Sequence, residues 1–220
     1  MLKSSRRHSD YIKHKGILLV MSSPSGAGKT TLTHLLLEQE KYVTLSISTT
    51  TRKPRPGEEE GVHYYFKTKV EFDALVENDA FFEHAKVFGN YYGTLKAPVE
   101  NALLQGYDVL LDVDWQGAQQ LIQEYQSRVV SIFILPPSLE ELENRLTKRA
   151  QDAPNVIASR MDKAMAEISH WAEYDYVVVN DNLDKSLNDI RSIIRSERLK
   201  RWRQMGLSDF IHNLHDEEED

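Results

Sequence analysis

Ser22-Ser23-Pro24-Ser25-Gly26-Ala27-Gly28-Lys29-Thr30 is the stretch that decides the fold. Ahead of it, Gly16 to Met21 contains the apolar run Ile17-Leu18-Leu19-Val20, which reads as a short buried strand. Behind it, Leu32, Leu35 and Leu36 share one side of a helix starting near Thr30. Strand, glycine-rich turn and helix in that order fit G-x-x-x-x-G-K-[ST], with Ser23 where the first glycine usually stands. A glycine is required there only if the backbone enters a glycine-only conformation. The later glycines let consecutive N–H groups face one anion, and the helix start adds its positive end. A cation is disfavoured at a helix start, so Lys29 needs a reason to be there. Polyphosphate supplies one: Lys29 reaches the β- and γ-phosphates while Thr30 offers a hydroxyl to Mg2+. The expected phosphate-binding set is Ser25, Gly26, Ala27, Gly28, Lys29, Thr30 and Thr31. The alternative is a glycine-rich turn that binds nothing.

Working outward, 220 residues suit one large domain with small inserts. A chain of this size buries about 70% of its extended surface, enough for a sizeable core. Hydrophobic residues make up 40% and charged residues 28%, which excludes wholesale disorder, and no run nears the roughly 20 apolar residues of a membrane span. The absence of cysteine excludes a disulfide scaffold, cysteine catalysis and thiolate metal sites. A net charge of -7 argues against a dedicated nucleic-acid partner, and no membrane partner is expected. The basic start, residues 1–15, has no signal-peptide core, so a cytoplasmic protein is expected. That basic extension and the acidic tail, residues 211–220, read as mobile solubilising ends; His212 and His215 are not favoured as a metal pair.

Along the chain a second strand is expected near Val43 to Ile47, followed by the turn-rich stretch Thr49 to Gly61, whose prolines and glycines oppose a regular element. His63 to Phe66 returns to strand character. Thr68 and Glu71 have capping-box spacing for a helix over Lys69 to Glu77. Ala80 to Phe88 reads as a strand and Gly89-Asn90-Tyr91-Tyr92-Gly93 as a turn. Residues 48–95 thus form a small α+β insert in a core of residues 16–47 and 96–210. The core rhythm resumes with a helix near 96–105, strand Asp108 to Val113, helix 115–124 and strand Val129 to Leu135. Ser138 and Glu141 open a helix to about Arg149. A helix near 154–171, strand Tyr176 to Val179 and a long helix with Leu183, Leu187, Ile190 and Ile194 on one side follow. Alternating strands and helices predict an α/β fold with a central parallel sheet.

Val109-Leu110-Leu111-Asp112-Val113-Asp114 is an apolar strand ending in two acids. If both keep strand geometry they point to one face at the carboxyl edge of the sheet, where α/β ligands bind. Asp112 is expected to hold magnesium through water, leaving Asp114 for a second duty on a base; helix capping is the alternative for each. Asp114-Trp115-Gln116-Gly117 also satisfies the D-x-x-G of GTPases, but no Asn-Lys pair exists to complete a guanine-reading N-K-x-D. Arg52 and Arg55 sit in the turn-rich loop; Arg145 and Arg149 are i,i+4 on a helix, with Arg160 on the next. Phosphoryl transfer needs such cations, and a helical hairpin carrying them can close over the phosphates and exclude water.

These segments together resemble the bacterial type of guanylate kinase, within the nucleoside monophosphate kinase group of P-loop proteins, from about Gly16 to Arg203. The likeness rests on SSPSGAGKTT, SISTTTRKPRPGEEEGVHYYF, FFEHAKVFGNYYGT, VLLDVDWQGAQQ, SIFILPP and RLTKRAQD. It implies a P-loop NTPase-like three-layer fold with a GMP-binding insert and a helical lid near residues 145–160. It also implies ATP-dependent phosphorylation of GMP, and of dGMP, with Mg2+. By the resemblance, Ser48, Arg52, Arg55, Tyr64 and Tyr92 anchor the acceptor phosphate, while Glu83, Thr94 and Asp114 read guanine. Arg145 belongs to the ATP side, and Lys29, Arg52, Arg149 and Arg160 attend the transferred group. Ala150 stands where the family often has glycine. Tyr91 is expected in packing. Another small-molecule phosphotransferase and a non-enzymatic scaffold of the same fold are the competing readings, and homo-oligomerisation stays open.

Overall fold

The computed structural model describes residues 13–87, 89–149 and 154–216, without the side chains of residues 149, 154–156, 215 and 216. Residues 1–12 of the basic extension, Ala150 in the lid connector, the Arg149 and His215 side chains and the tail beyond 216 therefore lie outside the described residues. The chain enters through β1 (Lys13–His14), β2 (Leu18–Ser22), α1 (Lys29–Gln39) and β3 (Val43–Leu45). Next come β4 (Thr49–Thr50), β5 (Tyr65–Phe66), α2 (Lys69–Glu77), β6 (Phe81–Val87) and β7 (Asn90–Leu95). Then α3 (Lys96–Leu104), β8 (Asp108–Asp112), α4 (Trp115–Tyr125) and β9 (Val129–Leu135) follow. The chain continues through α5 (Leu139–Arg149), α6 (Pro154–Ile168), β10 (Tyr176–Val179), α7 (Leu183–Arg198), β11 (Gln204–Met205) and α8 (Leu207–Asp216).

The apolar run before the glycine-rich turn becomes the middle strand of a parallel sheet ordered β10-β9-β2-β8-β3. Successive β2 side chains point to opposite faces. Leu19 and Met21 join Leu32 and Leu36 of α1 and Leu187, Ile190 and Ile194 of α7 in one buried cluster. Leu18 and Val20 join Val99 of α3 and Ala118 and Leu121 of α4 in the other. Both faces are covered, as a parallel sheet requires, and the result is three layers. Each fully buried leucine or isoleucine contributes about 1.5–3 kcal/mol. All the parallel strands end on the same side, so the turn after β2 and the acids after β8 meet at one edge.

A second sheet, ordered β5-β4-β7-β6, lies between β3 and α3 in sequence. Its helix α2 opens with the expected box, Thr68 accepting from the Glu71 N–H and Glu71 accepting from the Thr68 N–H. At α5 only half of the box forms: Ser138 accepts from the Glu141 N–H, and the Glu141 carboxylate turns to Arg145 instead.

Four expectations are corrected. Residues 90–95 form strand β7, pairing with β4 and β6, so only the start of Gly89-Asn90-Tyr91-Tyr92-Gly93 is a turn. The stretch from Thr49 to Gly61 begins with a buried two-residue strand before its turns. Strand β8 stops at Asp112, and Asp114 caps α4, its Oδ1 accepting from the Gly117 N–H at 3.0 Å. Beyond α7 the chain is not finished: β11 pairs with β1, and α8 crosses the boundary set at 210/211. Among the described residues no helix is long and apolar enough to cross a membrane.

Candidate active site

The glycine-rich turn is held open by its glycines and locked by long-range partners. Gly26 and Gly28 take φ of +94° and +100°, which L side chains resist, whereas Ser23 has no positive φ. Serine is therefore tolerated where the motif usually has glycine. A Cβ on Gly28 would lie 2.3 Å from Asn180 Nδ2, and that amide donates to the Ala27 carbonyl at 2.8 Å. Arg145 donates to the same carbonyl at 3.3 Å, and Leu142 and Leu146 of α5 crowd Gly26. Asn180 is 4% exposed, so Asn180→Ala strips a buried bond and is expected to cost about 1–3 kcal/mol, read by urea denaturation.

A cavity of about 490 Å³ opens beside this turn, lined by Gly26, Gly28, Thr31, Arg145, Lys148, Asn180, Asp181 and Leu183. Lys29 ion-pairs with Asp112 and lies 3.5 Å from the Val113 carbonyl, joining the turn to the end of β8. Among the described residues no three His, Asp or Glu side chains cluster to hold a metal alone. Asp112, with its side chain 37% exposed, and the exposed Thr30 at the helix start still fit magnesium. That ion takes one or two carboxylates and fills its shell from phosphates and water.

The second sheet builds the other half. Alternate β7 residues share a face, so Tyr92 and Thr94 point one way and Tyr91 the other. Tyr91 packs on Phe72 of α2, ring centroids 5.7 Å apart, with Lys69 Nζ 4.4 Å from its ring centroid. Phe81 lies on that same packed side, 4.7 Å from Phe72. In a regular strand Glu83, two residues on, would follow it there. A register shift between Phe81 and Glu83 reverses this: Phe81 pairs with Leu95 but Glu83 pairs with Thr94. The bulge thus turns Glu83 onto the face of Thr94 and Tyr92, as bulges beside functional sites do. The Thr94 hydroxyl donates to Glu83 Oε1 at 2.7 Å in a fully buried setting.

Further along this face stand an arginine and two tyrosines. Arg52 lies 5.2 Å from the Tyr64 ring centroid, and Tyr64 meets Tyr92 edge-on at 6.2 Å. The Arg55-Pro56-Gly57-Glu58 turn, with Gly57 at φ +84°, folds Glu58 back. Its carboxylate accepts from Arg52 Nη2 at 2.7 Å and from the Arg55 N–H at 2.7 Å. Those donors hold the Glu58 pKa down to about 2, and the Glu58 carboxylate in turn raises that of Arg52. An anionic group thus already sits between the two arginine positions. Glu83 behaves oppositely: burial pushes its pKa up to about 7, the Thr94 hydroxyl opposes the rise, and the charge of Asp114 adds to it.

The structure brings Lys29, Thr30, Arg145 and Asp112 together at the sheet edge, and Arg52, Tyr64, Tyr92, Glu83 and Thr94 on the insert face, with Asp114 at the boundary. Ser48 is half-buried just before β4, and its carbonyl accepts from the Tyr65 N–H. Arg55 contributes its backbone N–H, its side chain being exposed. Arg160 is half-buried on α6, which packs on α5 through Leu142, Leu146 and Ala164. Sequence reading missed Asn180, Glu58 and Glu167. Glu167, on α6, accepts from the Ser25 N–H at 3.1 Å, and burial pushes its pKa up against that bond and the Lys29 charge. The Pro-Gly pair before Glu58 was a readable turn signal; the other two act across more than a hundred residues and left none.

A family model described as guanylate kinase matches residues 15–197. A guanylate kinase of Rhodospirillum rubrum is 56% identical over 203 residues, covering 92% of this chain and 93% of its own. One from Rhizobium etli is 50% identical over 216 residues and 98% of both chains. The crystal structure of guanylate kinase from Anaplasma phagocytophilum superposes with a TM-score of 0.75 at 39% identity, covering 92% of this chain and 97% of that one. The chain belongs to the guanylate kinase family.

Proposed function

We propose that this chain transfers the γ-phosphoryl group of ATP to GMP, and also to dGMP, with residues 48–95 as the acceptor insert and residues 145–160 as the lid. The observation that carries the reading is one insert face joining a buried carboxylate, Glu83, to an arginine–tyrosine anion socket. Guanine presents N1–H and N2–H2 on one edge, and a carboxylate accepts from both. Adenine lacks that donor pair and would leave buried Glu83 unsatisfied, a mismatch that discriminates strongly. Asp114 accepts a further guanine proton and Thr94 faces the carbonyl side. Arg52, Arg55, Tyr64, Tyr92 and Ser48 take the phosphate, replacing the counter-charge that Glu58 gives Arg52. None of these assignments uses the ribose 2′-hydroxyl, which is why dGMP is included.

ATP lies along Ser25 to Thr31, with Arg145 and the adjoining cavity on its nucleoside side. Thr30 and Asp112 would hold magnesium, Asp112 through water, and the ion would offset the negative charge of the donor phosphates. Lid closure aligns an acceptor phosphate oxygen with the γ-phosphorus. That oxygen is already anionic near neutral pH, so no side-chain base is needed. Lys29, Arg52, Arg149 and Arg160 hold the charge as it moves from acceptor to donor oxygens. Closure also excludes water, which would otherwise take the phosphoryl group. An acceptor panel tests the assignment: GMP and dGMP are expected to turn over at least about a hundredfold more efficiently than AMP, CMP or UMP. Preference for AMP would reject it.

A further inference from the structure

The bulge that aims Glu83 does not by itself fix where its carboxylate stops. Opposite it lies the first turn of α4. A Cβ built on Gly117 would fall 2.5 Å from Glu83 Oε2, 3.1 Å from its Cδ and 3.3 Å from Val113 Cβ. Real Cβ atoms do not approach that closely, and Glu83, 4% exposed, has little room to retreat. Gly117 has no positive φ, so backbone freedom does not explain the glycine. The same residue's N–H donates to Asp114 Oδ1 at 3.0 Å. One turn on, Gln120 clamps the neighbouring strand residue from both sides. It accepts from the His84 N–H at 3.1 Å and donates to the His84 carbonyl at 2.9 Å.

We propose that Gly117 and Gln120 are positioning residues for base selectivity: the missing side chain seats the Glu83 carboxylate, the Gly117 N–H fixes Asp114, and Gln120 pins strand β6 to α4 so that both acids keep one spacing. The proposal rests on Glu83 and Asp114 being the guanine readers. Neither residue touches a phosphate, so their effect falls on recognition of the base edge and not on the transfer step.

The discriminating readout is kcat/KM for GMP against IMP, which keeps the phosphate, the carbonyl and N1–H but lacks the N2 amino group. Gly117→Ala is expected to raise the KM for GMP about thirtyfold or more, with kcat changed less than about threefold. The KM for ATP stays put, and the preference for GMP over IMP shrinks about tenfold. Adding Glu83→Asp, one methylene shorter, is expected to recover part of that preference, so the double variant beats the sum of its parts. Gln120→Ala, on a half-buried side chain, is expected to lower the same preference about threefold or more, and decides the matter if Gly117→Ala does not fold. If both variants keep the wild-type GMP-to-IMP ratio while Glu83→Gln abolishes it, the positioning role is overturned and the guanine readers stand. If Glu83→Gln also leaves the ratio unchanged, the reading of Glu83 falls, and this proposal with it.

Discussion

Replacing Lys29 with alanine is expected to lower kcat about a thousandfold while leaving the fold intact. The two halves of that result have separate causes. Lys29 pairs with Asp112, whose side chain is 37% exposed, and such half-solvated pairs contribute about 0–1 kcal/mol. The melting temperature should therefore move by no more than a few degrees. During transfer the same cation faces the β- and γ-phosphates in a closed, water-poor site, where its charge counts far more. A coupled assay with ATP and GMP, run beside thermal unfolding, checks both halves. A scaffold of the same fold would show neither activity in the wild type nor any loss in the variant.

Glu83→Gln is expected to cut kcat/KM for GMP about a hundredfold or more and at the same time to stabilise the protein at alkaline pH. Glutamine keeps an acceptor for the Thr94 hydroxyl but replaces the second acceptor with a donor, which faces the guanine N–H groups. The stability half follows from linkage. Burial raises the Glu83 pKa from 4.5 to about 7, so the folded state prefers the protonated acid. Its contribution is fully present below pH 4.5 and is lost as pH rises through about 7, an effect of about 3 kcal/mol. Glutamine cannot ionise. The variant's melting temperature should exceed the wild type's at pH 8 by an amount that vanishes near pH 4.5, at about 2–4 °C per kcal/mol. The same sign governs the wild-type reaction: as pH falls below 7, Glu83 gains a proton and its advantage for guanine over adenine narrows.

The parts of the fold that were legible in the sequence are those set by local chemistry. An apolar run followed by Gly26-Ala27-Gly28-Lys29 specifies strand, turn and helix start within fifteen residues, and β2 takes the middle of the sheet. Thr68 and Glu71 specified the start of α2 for the same reason. Gly89-Asn90-Tyr91-Tyr92-Gly93 reads as a turn because of its polar tyrosines and flanking glycines, yet all its residues but Gly89 lie in strand β7. What makes them a strand is partner chemistry: Gly93 lies beneath Phe81, where a Cβ would come within 2.8 Å of the ring. Asp114 keeps an extended backbone but lies past the end of β8, because the α4 N–H groups needed a cap, a competition that periodicity cannot rank. Of the site, the cations and the acids at the strand ends were readable from type and position. Their supports were not. The bulge behind Glu83, the Asn180 lock on Ala27 and the Glu167 bond to Ser25 arise only from tertiary pairing.

In the proposed reaction two anion-binding halves close on one transferred group. A compound joining guanosine and adenosine through five phosphates at their 5′ positions tests it by calorimetry against each nucleotide alone. It should compete with both ATP and GMP and bind at least about a hundredfold more tightly than either. Displacement of ATP alone, with GMP still binding at its usual affinity, would mean that the halves never meet.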